Sequence, residues 1–129
     1  MSDDDEKKQS IRVVEDDEVT RSAIVTVLET LGYDDVSALG SGAHAFKMLD
    51  KYPGSHPIAI IDIFLADMTA KHLASLLPQD HGIQKLLILS GGTADDFAAV
   101  RSVFERQGIA EVHTLKKPAT LKMLQLFLD

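Results

Sequence analysis

Acid, hydroxyl and ammonium groups stand directly behind four short, mostly apolar runs in this chain. Ile11 to Val14 leads into Glu15-Asp16, Pro57 to Ile61 into Asp62, Lys85 to Leu89 into Ser90-Gly91-Gly92, and Glu111 to Leu115 into Lys117-Pro118. Taken alone, Asp62 could simply cap the segment that follows it. Three carboxylates brought to one place repel one another, so at least one keeps its proton unusually tightly unless a cation joins them. Oxygen ligands with room for water suit a hard divalent ion, magnesium or a mimic of it. A carboxylate nucleophile opposite a lysine and a hydroxyl is equipped for phosphoryl transfer. All of this requires the four runs to end at one place.

The elements that could bring them there read as follows. Ile58-Ala59-Ile60-Ile61 has no polar face and is rich in β-branched residues, which marks a strand buried on both sides. Further strands are expected at Ile11–Val14, Asp35–Leu39, Lys85–Leu89 and Glu111–Leu115. Between them lie helical patterns. The first runs from Asp17 or Glu18 to Leu31, with Val19, Ala23, Val27, Leu28 and Leu31 inward and Gly32 as its stop. The second runs from Ser41 or Gly42 to Lys51, and the third from Met68 to Leu77, halted by Pro78. The fourth spans Thr93 to Gln107, with Phe97, Val100, Val103 and Phe104 inward, and the last spans Thr120 to Leu128. Five strand–helix alternations without a repeat or linker imply an α/β fold: a flavodoxin-like, doubly wound, five-stranded parallel sheet of order 2-1-3-4-5 with helices on both faces. In that order strands one and three are neighbours, so Glu15, Asp16 and Asp62 meet at the switch point, where such sheets bind ligands.

Composition narrows the rest. With 129 residues the chain forms one domain, residues 10–129, behind a charged lead-in, residues 1–9, expected to be disordered. The formal net charge of −7 argues against nucleic acid as a direct partner. There is no cysteine for a disulfide or a thiolate metal site, which fits a reducing, cytoplasmic setting. No apolar run reaches the ~20 residues of a membrane span. Histidines 44, 56, 72, 81 and 113 show no metal-ligand spacing and read as surface or packing residues.

Val13-Val14-Glu15-Asp16 with Arg21, Ile61-Asp62, Leu89-Ser90-Gly91 and Lys117-Pro118, in this order and at these separations, resemble a response-regulator receiver domain of two-component signalling. The resemblance covers the chain from about Ile11 to Leu128. It implies that Asp62 is the phosphoacceptor, that Asp16, Asp62 and the backbone carbonyl of Phe64 bind Mg2+, and that Glu15 is the second acid of the pair. It also implies that Ser90 is the switch hydroxyl, Lys117 the phosphate-binding lysine, and the bond before Pro118 cis. The partner it implies is a histidine kinase or phosphotransfer protein, and the activity is that of a switch rather than a turnover enzyme. Ser-Gly-Gly and the long fourth helix look like receivers joined to EAL-type cyclic-di-GMP phosphodiesterase outputs.

The sequence departs from the family at several points. Leu65-Ala66 and Thr69-Ala70 stand where Met-Pro and Asp-Gly are common, and a lost glycine puts the usual loop in doubt, since alanine tolerates positive φ poorly. Thr114 occupies the place of the aromatic switch residue. The main rival reading is a pseudo-receiver that docks proteins without phosphorylation. A haloacid-dehalogenase-type phosphatase would want an acid where Phe64 stands. Gly40-Ser41-Gly42-Ala43-His44-Ala45 fits a dinucleotide fingerprint on paper, but follows the weakest strand and reads more plainly as a turn with Ser41 as N-cap. In the last helix, Leu121, Leu124 and Leu128 form the expected inward stripe. Met123, Leu126 and Phe127 are surplus, a surface for a homodimer, a partner or an output domain.

Overall fold

The computed structural model describes residues 9–91 and 95–129. The lead-in, apart from Gln9, and the expected helix start at Thr93 lie outside the described residues. Strands β1 (Ile11–Val14), β2 (Val36–Leu39), β3 (Ile58–Asp62), β4 (Lys85–Ser90) and β5 (Glu111–Lys116) alternate with helices α1 (Glu18–Thr30), α2 (Gly42–Lys51), α3 (Ala70–Ser75), α4 (Asp95–Arg106) and α5 (Leu121–Leu128). The sheet is parallel throughout, in the order β2-β1-β3-β4-β5 expected from the sequence. Val14 pairs with Ile61 and Asp62 with Leu89, so β1, β3 and β4 end at the same edge of the sheet, each one residue beyond the last.

Alternation along each strand divides the core in two. Val14, Ala59, Ile61, Leu86 and Ile88 face a layer made by α2, α3 and α4, with Leu49, Leu73 and Phe104 among its buried side chains. Ile11, Val13, Ile58, Ile60, Leu87 and Leu89 face α1 and α5 through Ile24, Leu28, Leu124 and Phe127. Helices therefore cover both faces, which is why the central strands carry no polar side.

Three details differ from the sequence reading. In α1 the inward stripe is Ile24, Val27, Leu28 and Leu31, while Ala23 is exposed and Val19 is 78% exposed. At 100° per residue Val19 points about 140° away from Ile24, so the two cannot share a face. Helix α3 is shorter than Met68–Leu77. Thr69 caps its start, accepting from the His72 amide, and Leu76 and Leu77 donate to Leu73 and Ala74 in a tightening last turn before Pro78. In α5 the buried stripe is Leu124, Phe127 and, in part, Leu128. Leu121 is 42% exposed and Phe127 only 7%, so those two exchange the roles expected of them.

Candidate functional site

Each strand end delivers its residue to one rim. Glu15 follows β1 directly and its amide donates to the Leu39 carbonyl, which holds it against the sheet and buries it almost completely. Asp62 and Ser90 are the last residues of β3 and β4, and both are buried. Lys117 follows β5, and its amide donates to the Ser90 carbonyl at 2.8 Å, so β4 and β5 are tied where hydroxyl and lysine emerge. The Lys117–Pro118 bond is cis, as the resemblance implied.

Lys117 Nζ lies 2.6 Å from Glu15 Oε1 and 2.6 Å from Asp62 Oδ2. The remaining oxygens accept from backbone: Asp62 Oδ1 from the Phe64 amide at 3.1 Å, Glu15 Oε2 from the Asp17 amide at 3.2 Å. Carboxylate oxygens of Glu15, Asp16 and Asp62 all lie within 4.8 Å of one another. Were all three acids ionised, the single ammonium would leave a local charge of 1 − 3 = −2, a repulsion that favours keeping one of them protonated. Burial, reinforced by Asp62, pushes the Glu15 carboxyl up to about 7, with Lys117 opposing the shift. Burial works to lower the Lys117 ammonium, but its hydrogen bonds to Asp62 and Glu15 outweigh that and hold it above its ordinary value. The donor set is oxygen only, clustered, short of positive charge, and open at Asp16. It fits a hard divalent cation.

The loop after Asp62 resolves the doubt about the missing glycine. Phe64 and Thr69 form an isolated antiparallel bridge, closed by Leu65 N to Met68 O at 3.0 Å and Ala70 N to Ile63 O at 2.9 Å. No described non-glycine residue has positive φ, and Ala70 sits buried in the first turn of α3. The loop reaches its course without a left-handed residue. Thr114 is half-buried on β5. Gly91 is exposed, and Gly92, the second glycine after Ser90, lies outside the described residues.

The amides of the Gly40–Ala45 segment that a phosphate would need are taken. Asp67 accepts from the amides of Gly42 and Ala43, and Ser41 Oγ accepts from that of His44, so the N-terminus of α2 is already satisfied. Sequence reasoning missed Asp67. It also gave Arg21 no role, whereas its Nη1 donates to the Glu15 carbonyl at 2.9 Å and braces the acid loop.

No family model matches the sequence, and no curated protein matches it. Solved structures do. The chemotaxis response regulator CheY4 of Vibrio cholerae superimposes with a TM-score of 0.76 at 18% identity, over 95% of this chain and 97% of that one. The fold is that of a response-regulator receiver domain. A CheY-like receiver domain from Methylobacillus flagellatus gives 0.72 at 22% identity, over 93% of this chain and 95% of the other. A Burkholderia pseudomallei response regulator, solved with a phosphorylated aspartic acid, a calcium ion and citrate, gives 0.67 at 20% identity, over 95% of this chain and 67% of that chain. At these identities the likeness to receiver domains is one of fold, and the chemistry rests on the residues at the rim.

Proposed function

We propose that this chain is a phosphorylation-controlled signalling switch whose acceptor is Asp62. The observation that carries the reading is the placement of Asp62 at the end of β3, its Oδ2 2.6 Å from the Lys117 ammonium, inside a three-carboxylate cluster and paired with Leu89, the residue just before Ser90 on the next strand. The donor is a phosphohistidine on a histidine kinase or phosphotransfer protein. A carboxylate oxygen of Asp62 attacks the phosphorus, the P–N bond breaks, and the imidazole leaves and takes up a proton. Asp62 becomes an acyl phosphate, returned to a carboxylate by water.

Mg2+ held by Glu15, Asp16, Asp62 and the Phe64 carbonyl would neutralise phosphoryl oxygens. Lys117 supplies the second positive charge, exchanging its bond to Asp62 for one to the phosphoryl group. Ser90 meets another phosphoryl oxygen through its hydroxyl. The phosphoryl group adds about −1.5 to −2 of charge, and drawing Ser90 and Lys117 to it shifts the β4–α4 and β5–α5 loops within an existing equilibrium. With Thr114 on β5, an aromatic flip there plays no part.

No described helix is long and apolar enough to cross a membrane, and the reading places the chain in the cytoplasm. Leu121, Met123 and Leu126, exposed on α5, are the surface for a second copy, a partner or an output domain. Treatment with acetyl phosphate and magnesium should add one phosphoryl mass, absent in Asp62→Asn. Failure of the wild-type chain to gain that mass would leave the docking module as the better reading.

A further inference from the structure

The segment that imitates a dinucleotide fingerprint does something else. Gly40 lies against Arg21, whose Nη1 would be 3.2 Å from a Cβ at that position, and the same Nη1 holds the Glu15 carbonyl. Two residues on, Asp67 Oδ1 accepts from the Gly42 amide and Oδ2 from the Ala43 amide, each at 2.9 Å. Met68 covers Gly42 so closely that a Cβ there would sit 2.4 Å from its Cγ. Both acid-bearing loops, the one with Glu15 and Asp16 and the one that follows Asp62, therefore rest on a single turn at the end of β2.

We propose that the Gly40–Ala43 turn is the brace that fixes the distance between the two halves of the acid site, and that Asp67 is the positioning residue latching the Asp62 loop to it. This deepens the functional reading above and rests on it. The loop spans only Ile63 to Thr69. It is pinned at its base by the Phe64–Thr69 bridge and at its tip by Asp67. Phe64 is one side of that bridge, so the backbone that carries its carbonyl is held by these contacts. Asp67 is exposed and touches neither Glu15, Asp16 nor Lys117 through any hydrogen bond described. Its two amide bonds hold its carboxyl below the ordinary value and so keep it ionised as an acceptor. A charged acceptor of two helix N-terminal amides is stronger than a neutral one. Glycine is required at position 42 because only a residue without Cβ lets Met68 close over the turn.

The test compares the wild-type chain, Asp67→Ala, Asp67→Asn and Val112→Ala, the last a change at a buried β5 residue remote from the turn that lowers stability without touching the latch. Magnesium affinity is measured by calorimetry on the folded proteins, and amide exchange is followed at Gly42 and Ala43. Partners bonded directly to metal ligands typically change affinity about 10- to 100-fold, and Asp67, which acts through the loop, belongs at the low end. Asp67→Ala should weaken magnesium binding by about 10-fold and speed exchange at both amides. Asp67→Asn, which keeps one carbonyl oxygen, should fall between, and Val112→Ala should bind as wild type despite its lower Tm. Wild-type affinity or unchanged exchange in Asp67→Ala overturns the latch, as does an equal loss in Val112→Ala. A wild-type chain that neither binds magnesium nor accepts a phosphoryl group overturns the functional reading itself, a result distinguishable from failure of the latch alone.

Discussion

At the N-terminal end of the sheet Arg12 is surrounded by acceptors, whereas at the C-terminal end Lys117 is outnumbered by acids. Arg12 donates through Nε to His56 Nδ1 at 3.2 Å, through Nη1 to the Ile11 carbonyl and Asp35, and through Nη2 to the Ser55 carbonyl. Its one acidic partner, Asp35, is itself bonded by Ser10. His56 is fully buried with its Nδ1 taken up by the guanidinium. The cluster is close to neutral in charge: one cation, its acceptors, and an imidazole whose buried Nε2 alone finds no partner among the described residues. Lys117 at the other end must serve Glu15 and Asp62 together, with Asp16 beside them. The same strands thus carry a saturated charge and an unsaturated one. The first holds the fold together; the second leaves a shortage of positive charge that a cation would relieve.

Stability should separate the two ends most sharply. Arg12→Ala removes the donors of buried acceptors and the packing of the stem, and should cost about 2–4 kcal/mol in denaturant melts. Asp16→Asn, measured without divalent ions, relieves repulsion and should be neutral or stabilising by up to roughly 1 kcal/mol. Equal losses at both ends would break the contrast.

Magnesium should reverse that preference. Binding only to the folded state adds about 2.7 kcal/mol at 100-fold excess over Kd, so Tm should climb with magnesium in wild type and stay flat in Asp16→Ala. A rise that survives that substitution would place the ion elsewhere.

The two ends should also respond to pH with opposite sign. Burial, with Arg12 alongside and His81 beyond it, lowers the His56 pKa below its ordinary 6.5. The unfolded chain then binds the proton more tightly, so this contribution is present above pH 6.5 and is lost as pH falls. Glu15 is raised from 4.5 to about 7, so its contribution is present below 4.5 and is lost as pH rises through about 7. In melts without divalent ions, His56→Leu should remove the acid-side slope and Glu15→Gln the slope between pH 4.5 and 7. Slopes that persist in both variants would mean other groups carry the linkage.

The smallest effect concerns the surface. Leu126 is 68% exposed on α5, so Leu126→Glu should leave Tm nearly unchanged while weakening any self-association seen by sedimentation. Phe127→Glu, in contrast, should unfold the chain's α1–α5 layer, since Phe127 packs edge-on to His113 under the Lys85 ammonium.

How much of this was legible in the sequence follows from the range of the interactions. Strand positions and sheet order could be read because runs such as Ile58–Ile61 state their two-sided burial locally. The acid rim could be read because strand ends in a parallel sheet meet by topology, whatever the side chains do. Helix faces were harder: α1 and α5 each carry more apolar residues than they bury, and only docking angle decides that Ile24 outranks Val19 and Phe127 outranks Leu121. Asp67 was invisible because its partners lie 24 and 25 residues away and are backbone amides, which leave no residue signature. Arg12 was invisible for a related reason: a cation in a buried strand looks like an error until His56 and Ser55 are seen around it.

The central claim is that Asp62, and no other acid of the C-terminal rim, is the acceptor. Borohydride reduces an acyl phosphate to an alcohol and so marks the carboxyl that carried it. After acetyl phosphate and magnesium, reduction followed by peptide sequencing in the mass spectrometer should find homoserine at position 62 alone, and none when magnesium is withheld. Reduction at Asp16 or Glu15, or no reduced residue at all in the wild-type chain, would contradict it.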